Sequence, residues 1–221
     1  MLGPSFDYFE ISELVAHREG SGPLWVAWDT NILSLYESYG LAMWDGDVLE
    51  VAAQHDSDEV TALGELITMW IGWDIRFQVV AGTSTDYKRP PTADLSERRE
   101  RSMRALEAAL ALGLDGEETF PERRPYGPPS RPLDGLPKGK DRELVQQAYR
   151  NGSDVFLTTD KGILRRDTQW KLWGMRCLAP TELIGHLTDA GLPLGFHIDY
   201  VLGNAPDLAR MSALLGALRE D

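Results

Sequence analysis

Residues 153–164 read SDVFLTTDKGIL: an apolar run from Val155 to Leu157, two threonines, then Asp160 followed at once by Lys161 and Gly162. A short apolar run bounded by polar residues fits a buried strand, and the Asp-Lys-Gly after it fits the turn that ends one. The same order recurs in PLWVAWDTNILSLY, residues 23–36, where Leu24 to Trp28 runs into Asp29 and then into Ile32, Leu33, Leu35 and Tyr36 at helical spacing. Two strands that each stop at a carboxylate decide the reading, because the carboxyl ends of parallel strands open into the crevice where ligands bind.

Working outward, strands and helices alternate. DSDEVTALGELITMWIGW (56–73) predicts a helix capped by Asp or Ser, and IRFQVVAG (75–82) a strand. KDRELVQQAYRNG (140–152) predicts a helix closed by Asn-Gly, GMRCL (174–178) a short strand, and APTELIGHLTDAG (179–191) a helix with Pro180 in its first turn. Residues 92–113 carry an apolar stripe, Met103, Leu106, Ala109 and Leu110, opposite an Arg and Glu face, and 115–139 is a loop rich in proline and glycine. Alternation of this kind predicts an α/β fold with a central parallel sheet and helices on both faces. The expected organisation is an N-terminal extension (1–22), a core domain (23–190) with a long insertion around 90–137, and a C-terminal extension (191–221) ending in a helix.

The 221 residues suffice for one sizeable core; 43% are hydrophobic and 26% charged, which places the chain among globular proteins. No apolar run approaches the roughly 20 residues that cross a bilayer, and the first residues show no basic leader, so a soluble, cytoplasmic protein is expected. One cysteine, Cys177, excludes an internal disulfide and a cysteine-based zinc site. The net charge of -13 argues against a surface that grips nucleic acid everywhere, but residues 86–143 balance twelve basic against twelve acidic side chains, so the excess lies elsewhere.

On this scheme Asp29 and Asp160 end strands, Asp141 opens a helix, and Asp86 follows the strand of 75–82 by a few residues, so four acids face one mouth. Like charges so close raise one another's pKa and are tolerable only with a cation or shared protons. No histidine or cysteine accompanies them, which selects a hard, oxygen-loving ion, Mg2+ or Mn2+, over zinc. Such an ion activates water and stabilises charge on a phosphoryl oxygen, so the expected reaction is phosphodiester hydrolysis.

VAWDTNIL, VVAGTSTDYKR, KDRELVQQAYRNGSDVFLTTDKGIL and MRCLAPTEL, in that order, resemble the motifs of the PIN domain, a metal-dependent ribonuclease fold found in many bacterial toxin-antitoxin toxins. The resemblance covers roughly residues 23–186 and is strongest from Asp141 to Asp160. It implies a three-layer α/β/α sandwich and an endoribonuclease acting on single-stranded RNA. It makes Asp29, Asp141 and Asp160 metal-binding acids and places Asp86 where that family usually has Glu, with Glu65 as a rival. Thr30, Asn31 and Thr158 would hold the acids by hydrogen bonds, and Lys88, Arg89, Lys140 and Lys161 would touch substrate. A toxin role implies a small antitoxin protein as partner, and a homodimer is common in the family.

Plainer roles compete. Asp29 and Asp141 also suit helix caps, Asp160 a turn, and Asp134 and Asp167 the surface. The pairs Trp70 and Trp73, and Trp170 and Trp173, suit core packing better than base stacking, and the four histidines show no metal-ligand spacing. No phosphate-binding glycine fingerprint follows any strand, against a nucleotide-binding Rossmann enzyme. Two other functions fit the residues: a non-catalytic RNA- or protein-binding module of the same fold, and a phosphatase of the haloacid dehalogenase type with Asp29 as nucleophile, where Asn31 replaces the second Asp expected there.

Overall fold

The computed structural model describes residues 5–15, 18–45, 50–80, 82–83, 139–171 and 174–192. Two-residue strands β1 (Phe6–Asp7) and β2 (Ser21–Gly22) pair antiparallel. The main elements then follow as β3 (Leu24–Trp28), α1 (Thr30–Asp45), α2 (Ser57–Gly72), β4 (Ile75–Val79), α3 (Lys140–Arg150), β5 (Val155–Leu157), α4 (Lys161–Leu164), α5 (Asp167–Lys171), β6 (Arg176–Leu178) and α6 (Pro180–Asp189). The expected insertion at 90–137, the C-terminal extension from residue 193, Asp86, Lys88, Arg89 and Asp134 lie outside the described residues.

β3 to β6 form one parallel sheet in the order β4-β3-β5-β6. The chain leaves β3 towards β4 on one side and returns to place β5 on the other, so the order reverses between β3 and β5. In open parallel sheets that reversal point is where the loops diverge and leave a crevice at the strands' carboxyl ends. Every residue of β3, β5 and β6 is buried, as strands covered on both faces require. Alternate side chains feed two apolar clusters. Leu24, Val26 and Trp28 join residues of α1, α2 and α6, while Ala27, Phe156 and Cys177 join Leu144, Val145 and Ala148 of α3.

Helix ends are set by their own residues. Asp56 caps α2 by accepting the Asp58 N–H at 3.0 Å, and Pro180 stands in the first turn of α6, where its missing N–H is no loss. Glu182 reaches back to the Ala179 N–H at 2.9 Å, and Glu59 of α2 accepts both the amide and the hydroxyl of Thr181, tying the first turns of α2 and α6 together.

Residues 5–15 belong to the main apolar cluster: Phe6, Tyr8, Ile11, Leu14 and Val15 are buried in it, and Phe6 stacks on Trp73 at 5.5 Å. Arg18 pairs at 3.0 Å with Asp154, donates to the Tyr8 hydroxyl at 3.1 Å and reaches the Gly152 carbonyl at 3.3 Å. Glu13 pairs with Lys171, and its carbonyl accepts from Arg176 at 3.1 Å. The N-terminal segment is thus bound into the sheet's own core.

Two local expectations change. β4 stops at Val79 rather than running on to Gly82, because the chain bends across the rim: the Gly82 N–H donates to Gln147 Oε1 at 2.9 Å and the Thr83 hydroxyl to the Trp28 carbonyl at 3.2 Å. A Cβ at Gly82 would lie 2.5 Å from Leu144 Cδ2, so any larger residue there would have to displace the Leu144 side chain. Asp167, expected on the surface, instead accepts two bonds from Arg176 Nε at 2.8 and 3.0 Å, pairs with its Nη2 at 2.7 Å and takes the Cys177 N–H at 2.7 Å. That bridge fixes the edge strand β6 to α5.

Candidate functional site

Parallel pairing sets Trp28 beside Leu157, so the next residue of each strand, Asp29 and Thr158, must also be neighbours. Asp29 N–H donates to the Leu157 carbonyl at 3.0 Å, and Thr158 N–H to that of Leu178 at 3.0 Å. Trp28, packed on Tyr36 and Phe77 at 5.6 and 4.8 Å between ring centres, makes a rigid floor below. Burying an aromatic side chain of this size contributes about 1.5–3 kcal/mol, so the backbone carrying Asp29 is firmly held.

The Asp29 carboxylate is only 7% exposed. Its Oδ2 accepts from the Thr158 hydroxyl at 2.6 Å and from Asn31 Nδ2 at 2.9 Å, and its Oδ1 from the Thr30 N–H at 2.7 Å. A helix cap would spend that oxygen on the second or third amide of α1. Here the bonds instead tie β3 to the end of β5. Oδ2 takes two bonds, and Oδ1 takes one among the described residues.

Asn31 spans the same gap. Its Nδ2 also reaches Thr158 Oγ1 at 3.1 Å and its Oδ1 accepts the Thr159 N–H at 3.2 Å, while the Thr158 hydroxyl oxygen accepts from the Asp160 N–H at 3.0 Å. Thr30 contributes its backbone, and its buried hydroxyl finds no partner among the described residues.

Asp160 does act as a cap: Oδ1 accepts from the N–H groups of Gly162 and Ile163 at 2.6 and 3.2 Å, which commits one oxygen and leaves Oδ2 without a partner among the described residues. Asp141 is the second residue of α3, exposed, behind Gly139 at the cap position. Burial pushes the Asp29 carboxyl above its ordinary value; hydrogen bonds from Thr158 and Thr30 pull it back, and the charges of Asp141 and Asp160 push it further up. Those two acids therefore stand near enough to Asp29 for their charges to act on it.

Short links from α2 to β4 and from α3 to β5 run both helices back along the sheet, so their first turns lie at the same rim as those of α1, α4 and α6. The positive ends of several helix dipoles thus face the acids and offset part of their repulsion. Lys140 and Lys161 are exposed beside Asp141 and Asp160, and Glu65 is half-buried within α2. Thr83 anchors the chain three residues before Asp86, a role carried by no periodicity or motif.

Carboxylates with uncommitted oxygens, no nitrogen or sulfur donor and a desolvated central member suit a hard divalent cation. Among the described residues no group of three or more His, Cys, Asp or Glu side chains is close enough together to hold a metal ion. Magnesium keeps several waters and takes only one or two protein carboxylates directly, so the residues that could hold it are Asp29 and Asp160, the acids with an oxygen left over among the described residues. Compared with protein-family models, curated proteins and solved structures, the chain matches none of them.

Thr158 joins both acids, so Thr158→Val, similar in volume but without the hydroxyl, is expected to leave the sheet intact and weaken divalent-ion binding about 10–100-fold. Isothermal titration with Mn2+ measures it. An unchanged affinity would mean that the hydroxyl does not orient the acids.

Proposed function

We propose that the protein is a divalent-metal-dependent endoribonuclease of PIN-like, three-layer α/β/α architecture that hydrolyses phosphodiester bonds in single-stranded RNA. The observation that carries this reading is the buried Asp29 carboxylate at the point where the sheet order reverses, oriented by Thr158 and Asn31 beside Asp160.

Asp29, Asp141 and Asp160 would hold Mg2+ or Mn2+, with Asp86 completing the set. The bound cation lowers the pKa of water and stabilises charge on the phosphoryl oxygen. Asn31 and Thr158 keep Asp29 Oδ2 occupied, so that Oδ1 is the oxygen presented. The packed Trp28 floor holds the strand end still, and the cap bonds of Asp160 keep its second oxygen turned from its own helix. A single strand can bend to reach acids at a strand end, whereas an RNA duplex is stiff and keeps its bases stacked inside.

The shorter Asp86, standing where the resembled family usually has Glu, and the net charge of -13 favour one other reading, a module of the same fold that binds RNA without cutting it. Labelled single-stranded RNA incubated with the protein in Mg2+, in Mn2+ and in chelator separates the two. Cleavage that requires the metal and is lost in Asp29→Asn supports the nuclease; binding without cleavage in either metal leaves the module.

A further inference from the structure

Beyond the acids, the described surface at this rim offers an unusual pair of cations. α4 is one turn long, capped by Asp160 and held down by buried Ile163, and its exposed positions are Lys161, Gly162 and Arg165. Arg165 still has helical backbone angles, φ -58° and ψ -10°, so Lys161 and Arg165 stand four residues apart on one face. Neither side chain makes a hydrogen bond or ion pair among the described residues. Arg166 next to them is occupied instead, donating to the Gly162 carbonyl at 2.9 Å and bracing the turn. On a chain with net charge -13, two cations without partners among the described residues stand next to the strand-end acids Asp29 and Asp160.

We infer that Lys161 and Arg165 form a ridge that binds the phosphodiester backbone of single-stranded RNA next to the linkage being cut. The ligand class rests on the ribonuclease reading. The chemistry agrees with it: the two cations are about 6 Å apart along the helix, a regular spacing that suits a polymer charged at every unit. Arginine's planar fork takes two oxygens of one phosphate, while lysine supplies a point charge. Because Lys161 directly follows Asp160, a phosphate held there brings the neighbouring linkage to the carboxylates. It also offsets the repulsion between those carboxylates and an incoming polyanion.

The test measures binding of single-stranded RNA in chelator, where no hydrolysis occurs, across a salt series. Subjects are the wild-type protein, the double variant Lys161→Ala/Arg165→Ala and the charge-reversed Lys161→Glu/Arg165→Glu, with poly-glutamate as a second polyanion. Two lost phosphate contacts should flatten the slope of log affinity against log salt by about 1.4, so that the wild-type advantage over the alanine variant shrinks about sevenfold between 50 and 200 mM salt. Charge reversal should weaken binding further. An unchanged slope, no RNA binding by the wild type, or equal binding of poly-glutamate lost in the same variants would each overturn the ridge, the last in favour of an acidic protein partner. Metal-dependent cleavage by Asp29→Asn is scored separately. Slope loss without any wild-type cleavage leaves the ridge standing on a non-catalytic protein, and Asp29-dependent cleavage with an unchanged slope removes the ridge alone.

Discussion

Asp29→Asn is expected to lower RNA hydrolysis about 10²–10³-fold, the equivalent of several kcal/mol of charge stabilisation at the reacting phosphate. The amide oxygen can still accept from Thr158 and Asn31, so the fold should survive, but the position now held by Oδ1 becomes an uncharged NH2 facing the Thr30 N–H. Stability should respond to pH in a direction that the raised carboxyl fixes. The folded protein keeps the Asp29 proton to a higher pH than the unfolded chain does, so the burden of a buried charge is absent below the unfolded pKa and complete above the folded one. Relative to Asp29→Asn, the wild type should therefore gain Tm as pH falls through that window. At neutral pH, Mn2+ at 100 times its Kd should stabilise the wild type by about 2.7 kcal/mol and leave the variant unmoved. Equal metal-induced shifts in both proteins would place the ion elsewhere.

Asp154→Ala should be the most damaging single change to stability, at about 3–5 kcal/mol, or roughly 6–20 °C in Tm for a chain of this size. Asp154 is 1% exposed, its Oδ1 faces Arg18 at 3.0 Å and its Oδ2 accepts the Trp25 N–H at 3.0 Å. Removing it strands a largely buried guanidinium and an orphan amide in β3 at once. The same variant loosens the N-terminal segment, since Arg18 also donates to the Tyr8 hydroxyl, which then keeps only its bond to the Pro23 carbonyl. Chemical denaturation measures the loss; a change below about 1 kcal/mol would show that the first residues are held by apolar packing alone.

The fold was legible where composition and period agree. Leu24–Trp28 and Val155–Leu157 are uninterrupted apolar runs bounded by polar residues, and both are strands with those bounds. Asp56 at the start of α2 and Asn151 after α3 mark helix ends as their side chains lead one to expect. α4 and α5 leave no signature in the sequence because one turn is too short to show a period. Asp29, Asn31, Thr158 and Asp160 can be picked out because each borders a strand end, and the structure draws these four into one hydrogen-bonded set. The bend at Gly82 and the bridge from Asp167 to Arg176 could not be read, since each depends on a partner brought up by the tertiary fold: Gln147 and Trp28 for the first, the β6 backbone for the second.

The polar ties of the early segment run mostly to late ones. Arg18 waits for Gly152 and Asp154, and Glu13 for Lys171 and Arg176, between 134 and 163 residues further along for the bonds to Gly152 and from Arg176. At typical synthesis rates of roughly 5–20 residues per second, Arg18 and Glu13 wait many seconds before those partners leave the ribosome. Long-range closure of this kind slows folding, because these ties cannot form until most of the chain is available.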